Sequence, residues 1–157
     1  MKKVFLIVLA AIALSSTAFA QKAIGLRFGG GSVTNFEVSY QQPMNANRLE
    51  LDFGLATGNE SLNLSLVGIY HWKFNIVNAL DWYVGPGVAA GLYLSDIADR
   101  SGIALGIGGQ IGLEYSFAGH GVPLMLSVDT RPMFRLVHPK AYGNFGWEAC
   151  LSIRYLL

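Results

Sequence analysis

Beyond residue 20, a large apolar residue recurs at nearly every second position, with small, polar or charged residues between. A period of two marks a strand with one apolar face. The pattern predicts eight strands, at residues 23–29, 33–41, 48–57, 61–74, 82–94, 102–117, 124–135 and 146–157. In the first half the apolar face carries Ile24, Leu26 and Phe28, then Phe36, Val38 and Tyr40, then Leu49, Leu51, Phe53 and Leu55, then Leu62, Leu64, Leu66, Tyr70, Trp72 and Phe74. In the second half it carries Trp82, Val84, Val88, Leu92 and Leu94, then Ile103, Leu105, Ile107, Ile111, Leu113, Tyr115 and Phe117. The last two strands add Leu124, Leu126, Val128 and Phe134, then Trp147, Leu151, Ile153, Tyr155 and Leu157. No Asp, Glu, Lys or Arg falls on this face in any of the eight.

The breaks hold turn formers: Gly30 to Ser32, Pro43 to Asn47, Gly58 to Glu60, Asn75 to Asp81, Ser95 to Ser101, Ala118 to Pro123 and Val137 to Phe145. All are short, so neighbouring strands are expected to run antiparallel. An even-numbered up-and-down meander closes on itself and removes both edges. The predicted fold class is all-β: a closed antiparallel eight-stranded transmembrane β-barrel. Pro86 and Pro132 fall inside strands, where each removes a ladder hydrogen bond. Gly85-Pro86-Gly87 reads as a bulge or bend.

The same periodicity fits two barrels. One is soluble and lipocalin-like, with its apolar face around a ligand. The other lies in a membrane, with its apolar face against lipid. Three observations favour the second. The non-apolar face is rich in glycine, with Gly25, Gly54, Gly85, Gly87, Gly91, Gly106, Gly108 and Gly112. Glycine weakens a solvated strand but suits the crowded lumen of a narrow barrel.

That face also holds six basic residues (Arg27, Arg48, Lys73, Arg131, Arg135, Arg154) against six acidic ones (Glu37, Glu50, Asp52, Glu114, Asp129, Glu148). Enclosed charges need partners, and the balance supplies them. The other charges beyond residue 20 (Lys22, Glu60, Asp81, Asp96, Asp99, Arg100, Lys140) fall in turns or near a terminus. Third, Tyr40, Trp72, Phe74, Trp82, Tyr115, Phe117 and Tyr155 all lie beside alternate turns or the C-terminus. In a closed meander those points share one rim, as an interfacial aromatic girdle would. Phe28, Phe36, Phe134 and Trp147 mark the opposite rim.

Composition narrows the class further. Residues 1–20 read as a secretory signal peptide: basic Lys2 and Lys3, an apolar run over 4–14, and Ala18-Phe19-Ala20 before the cleavage point. The run is too short to span a bilayer. Residues 21–157 form one barrel domain of about 137 residues. Charged residues are 13% of the chain, about half the globular norm. Lys2 and Lys3 account for the small basic excess of 11 over 10, which argues against nucleic acid as a partner. Cys150 is alone, so no internal disulfide forms.

The chain resembles the small eight-stranded outer-membrane β-barrel family of Gram-negative bacteria, the OmpA/OmpX-like barrels, and most of all the short barrels of the Bacteroidetes group. The resemblance is carried by Ala18-Phe19-Ala20-Gln21, by Asp81 to Gly87 (DWYVGPG), by Gly112 to Phe117 (GLEYSF) and by the last strand, Leu151 to Leu157 (LSIRYLL). It implies a monomer in the cell outer membrane. It also implies contact with membrane lipid and lipopolysaccharide, and recognition of the last strand by the barrel-assembly machinery. The chain departs from the family in ending at Leu157 rather than Phe. Either assembly is less efficient or an apolar end suffices. It also departs in the shortness of its outer-rim loops.

Chemistry finds little support. Some barrels of this kind modify lipid A with a lipid-facing His and Ser. Here His71 falls on the lumen face, and His120 and His138 sit in a turn and a loop. Three separated His and one Cys do not make a metal site, and no cofactor is implied. The run from Gly106 to Gly112 fails the dinucleotide fingerprint at Ile111 and lacks a following helix. Cys150 reads as a small lumen filler.

The lumen charges read either as an ion path or as a salt-bridged plug. Eight strands leave an interior just wide enough for side chains, which favours the plug. The strand order sets Arg131 and Arg135 on either side of Glu148, and Arg27 diagonal to Glu37. The expected role is structural or interactive, with at most a narrow pore and no catalysis. A soluble apolar-ligand barrel and a lipid A-modifying enzyme are the alternatives.

Overall fold

The computed structural model describes residues 21–31, 36–58, 61–95, 101–139 and 143–157. The signal-peptide assignment and the turn or loop assignments of Ser32, Asn59, Glu60, Asp96, Asp99, Arg100 and Lys140 lie outside them.

Eight strands form: β1 (Ala23–Gly31), β2 (Phe36–Met44), β3 (Asn47–Gly58), β4 (Ser61–Val77), β5 (Leu80–Ser95), β6 (Gly102–Ser116), β7 (Leu124–Val137) and β8 (Phe145–Leu156). Each pairs antiparallel with its chain neighbours, and β8 returns to β1, so the barrel is closed. The expected fold class and all eight strands are present. A short 3₁₀ turn, Ala118–His120, precedes β7.

Several turns are tighter than their composition implied. Pro43 lies within β2, and Asn75 and Val77 within β4. Two-residue turns suffice at Asn45-Ala46 and Asn78-Ala79. Asn45 (φ 59°) and Asn78 (φ 48°) take the left-handed conformation that tight hairpins need and that asparagine tolerates.

The prolines are absorbed without a register slip. On the β4 side of Pro86, pairing pauses between Ile69↔Gly87 and Trp72↔Val84 and resumes in the same register. On the β6 side of Pro132 it pauses between Gly108↔Met133 and Ile111↔Thr130. Each pause falls at the proline, whose missing N–H leaves a gap in the ladder on that side while the register is kept. The register shifts fall elsewhere, at Asn75/Val77 and Leu105/Gly106.

Gly85 is required by close approach. A Cβ there would sit 1.7 Å from the Tyr70 carbonyl oxygen on β4. Gly85→Ala is expected to push β4 from β5 and cost about 1–3 kcal/mol as overpacking. Urea unfolding of the detergent-folded barrel would measure it, against Gly30→Ala, where a Cβ meets nothing within 4 Å. Equal midpoints for the two variants would refute the steric account.

The faces separate cleanly. Outward positions carry the exposed large apolar residues, among them Val88 at 62%, Leu151 at 60% and Phe134 at 58%. No outward-facing position among the described strand residues is Asp, Glu, Lys or Arg. The buried interior is polar, built on Arg27, Glu50, Asp52, Arg131 and Arg154. A water-soluble barrel has the reverse arrangement.

The charged lumen as the candidate functional site

Alternation turns every second side chain into a lumen too narrow to hydrate an ion fully, so the inward charges must find one another. Arg27 lies at the centre. Its Nη1 and Nη2 donate to the Asp129 carboxylate at 3.1 and 2.9 Å, and Nη1 also donates to Glu50 Oε1 at 3.0 Å. Its Nε lies 2.9 Å from Glu37 Oε2. The expected diagonal relation is corrected: Arg27 and Glu37 are direct cross-strand neighbours.

Arg131 ties three carboxylates. It pairs with Glu148 directly across the last hairpin, with Asp52 Oδ2 at 2.8 Å and with Glu37 Oε1 at 2.5 Å. Asp52 and Glu37 are on β3 and β2, so these bonds cross the barrel. The flanking role expected of Arg135 is also corrected. Its Nη1 donates to the carbonyls of Gly143 and Phe145, at the start of β8 and the loop before it.

Arg154 supplies the third fully buried guanidinium. It donates to Glu50 Oε1 (3.0 Å), Ser127 Oγ (2.6 Å) and Ser39 Oγ (3.1 Å). Glu50 therefore takes Arg27 and Arg154 on one oxygen, and Gln41 donates to the other. The Tyr83 hydroxyl donates to Asp129 at 3.0 Å.

Towards the rim where β1 begins and β8 ends, Arg48 stacks over the Tyr83 ring at 4.6 Å. Its Nε donates to His71 Nδ1 at 3.2 Å, and its Nη1 pairs with Glu114 at 2.5 Å. Lys73 Nζ reaches Glu114 Oε1 at 2.8 Å and Asp81 Oδ2 at 3.4 Å. These two are less buried, with side chains 31% and 23% exposed.

Asp81 was expected in a turn. It stands instead on β5 opposite Glu114, facing the lumen. The described inward charges are therefore six basic against seven acidic, not six against six. Tyr83, Gln41, Gln110 and the serines of the network were not anticipated. Nor were Val67, Ile69 and Met133, which form a small apolar cluster inside the barrel. One signal was available: all share the alternation phase of a charged neighbour. Cys150 is buried and faces Gly29.

A cavity lies on either side of the network. One, of about 270 Å³, opens at the rim where β1 begins and β8 ends, beside Arg48, Lys73, Asp81 and Glu114. The other, of about 50 Å³, is lined by small residues such as Ser65, Ala89, Gly91 and Ala104, with Arg131 and Glu148 at its floor.

The aromatic residues expected at one rim are on the outer surface or the turns of the side where β1 begins and β8 ends. Phe74 stacks on Trp82 (4.7 Å), Tyr70 meets Trp72 (5.8 Å) and Tyr115 meets Phe117 (4.8 Å). Tyr40 bonds to Gln42, and Tyr155 is half exposed. Phe28–Phe36 and Phe134–Phe145 pair at the other rim.

An apolar outside, a polar inside and a closed ladder define the class: a transmembrane-type eight-stranded β-barrel. Among solved structures the chain is similar to Neisserial surface protein A (NspA), with a TM-score of 0.66 at 12% identity over 87% of this chain and 96% of that one. It also matches the outer membrane enzyme PagL, with a TM-score of 0.48 at 9% identity over 88% of this chain and all of that one. At such identities the likeness shows the fold alone, that of small eight-stranded outer-membrane barrels. No protein-family model and no curated protein sequence matches the chain.

Proposed function

We propose that this protein is a non-catalytic outer-membrane barrel whose role is structural or interactive, with its lumen shut by the ionic network. The carrying observation is that the outward positions of the described strands hold no charge while Arg27, Arg131 and Arg154 are buried and each bonded across the barrel. Three guanidiniums locked to carboxylates from several strands occupy the space that an ion path would need. Neither His71, buried against Arg48 and Tyr83, nor the exposed His120, 3.3 Å from the Tyr115 hydroxyl, has a nucleophile and orienting partner arranged for acyl transfer.

Fractionation of expressing Gram-negative cells tests the reading. The protein is expected in the outer-membrane pellet, migrating faster unboiled than boiled. Reconstituted in a planar bilayer, it should show no steady ohmic conductance. A soluble periplasmic band without a mobility shift would mean that the faces are inverted. A stable open channel would overturn the plug.

A further inference from the structure

The inward charges fall into two kinds. Those of the central network are almost wholly buried. Lys73 and Asp81 are the most exposed inward-facing charges among the described residues, and they line the larger cavity at the rim where β1 begins and β8 ends. We propose that this vestibule binds a small zwitterion, an unblocked amino acid or dipeptide, through exchange of the Lys73–Asp81 pair.

The geometry supports the exchange. Lys73 and Asp81 are 3.4 Å apart, a loose contact, while each has a second anchor. Lys73 is held by Glu114 at 2.8 Å, and Asp81 Oδ1 accepts from Asn75 at 2.7 Å. A partly solvated pair of this kind opens at little cost. An entering carboxylate would take the free side of the Lys73 ammonium, and the ligand's ammonium would take Asp81 Oδ2. Each displaced charge is replaced in kind, so none is left unpaired.

The side chains lining the vestibule carry two basic groups (Arg48, Lys73) and two acidic ones (Asp81, Glu114), which suits a ligand with one charge of each sign. Asn45 adds an amide group at the wall, suited to a peptide bond, while the amide nitrogens of Gln41 and Asn47 already donate to Glu50 and Tyr70. A volume of about 270 Å³ admits a dipeptide but not a folded partner.

The test titrates L-alanyl-L-alanine into the detergent-folded barrel while following the methyl NMR signal of Met125, which lines the cavity. A saturable shift is expected, absent with the dipeptide blocked at both ends. Lys73→Gln and Asp81→Asn should each weaken binding by about tenfold or more, the loss of one charge-assisted contact. Both should keep the unboiled gel mobility, because Glu114 retains Arg48. An equal shift from the blocked dipeptide, affinity unchanged in both variants, or no saturable shift up to the solubility limit would each overturn the proposal.

Discussion

Arg131→Met is expected to destabilise the barrel by about 3–5 kcal/mol, the cost of leaving buried charge without its partner. The figure follows from geometry. Arg131 is the common partner of Glu37, Asp52 and Glu148, held on three different strands. Without it, three carboxylates meet in a lumen whose walls exclude bulk water, and Arg27 reaches only two of them. Urea titration in detergent, read by the loss of the fast-migrating band, would measure the effect. A second variant keeps the explanation testable: adding Glu37→Gln, Asp52→Asn and Glu148→Gln should restore most of the stability, since a neutral cluster needs no guanidinium. A loss below about 1 kcal/mol, the range of solvated pairs, would refute the buried network.

Val88→Arg is expected to cost about 2–4 kcal/mol in a bilayer, because a cation at mid-depth on the lipid face has no partner and no water. Val88 lies at the middle of β5 and is 62% exposed on the outer surface. Val77→Arg, at the end of β4 and equally outward, should cost about 0–1 kcal/mol at the interface. Refolding yield and urea midpoint in lipid vesicles would compare the two. Equal, small effects would mean that the outer face meets water. That result would return the soluble barrel to consideration.

Much of this architecture was legible in the chain because the outer face is chemically uniform. Unbroken alternation located each strand, and the closure followed from the even count. Legibility failed where a residue type has two local uses. Asn75, Asn78 and Asp81 all carry turn chemistry, so the break between β4 and β5 looked seven residues long. Only Asn78-Ala79 turns, and Asp81 was thereby missed as a lumen acid. Val67 and Ile69 sit between outward Leu66 and Tyr70, so both faces of β4 are apolar there; phase sets the two inside, but nothing in the alternation says that they pack on Met133. The ionic partners were readable only as far as the ladder reaches. Arg131 opposite Glu148 is a hairpin neighbour, but its reach to Glu37 and Asp52 crosses the lumen, and that depends on barrel curvature rather than strand order.

The closing ladder carries a kinetic consequence. β1 pairs with β8 over nine residue pairs, from Ala23↔Leu156 to Gly31↔Glu148. The central bonds are equally remote along the chain: Arg27 and Asp129 are 102 residues apart, and Arg154 and Ser39 are 115. A partly threaded chain can satisfy its hairpins and the ion pairs within them, such as Arg27–Glu37 and Arg131–Glu148, but not the ions that cross the lumen. Until the two ends meet, the pairs that cross the lumen face one another over an open sheet with water still between them. Such long-range contacts slow folding and concentrate its barrier in the final joining step. The ionic core thus acts as a latch set only by closure, and an incomplete barrel remains loose enough to be unmade.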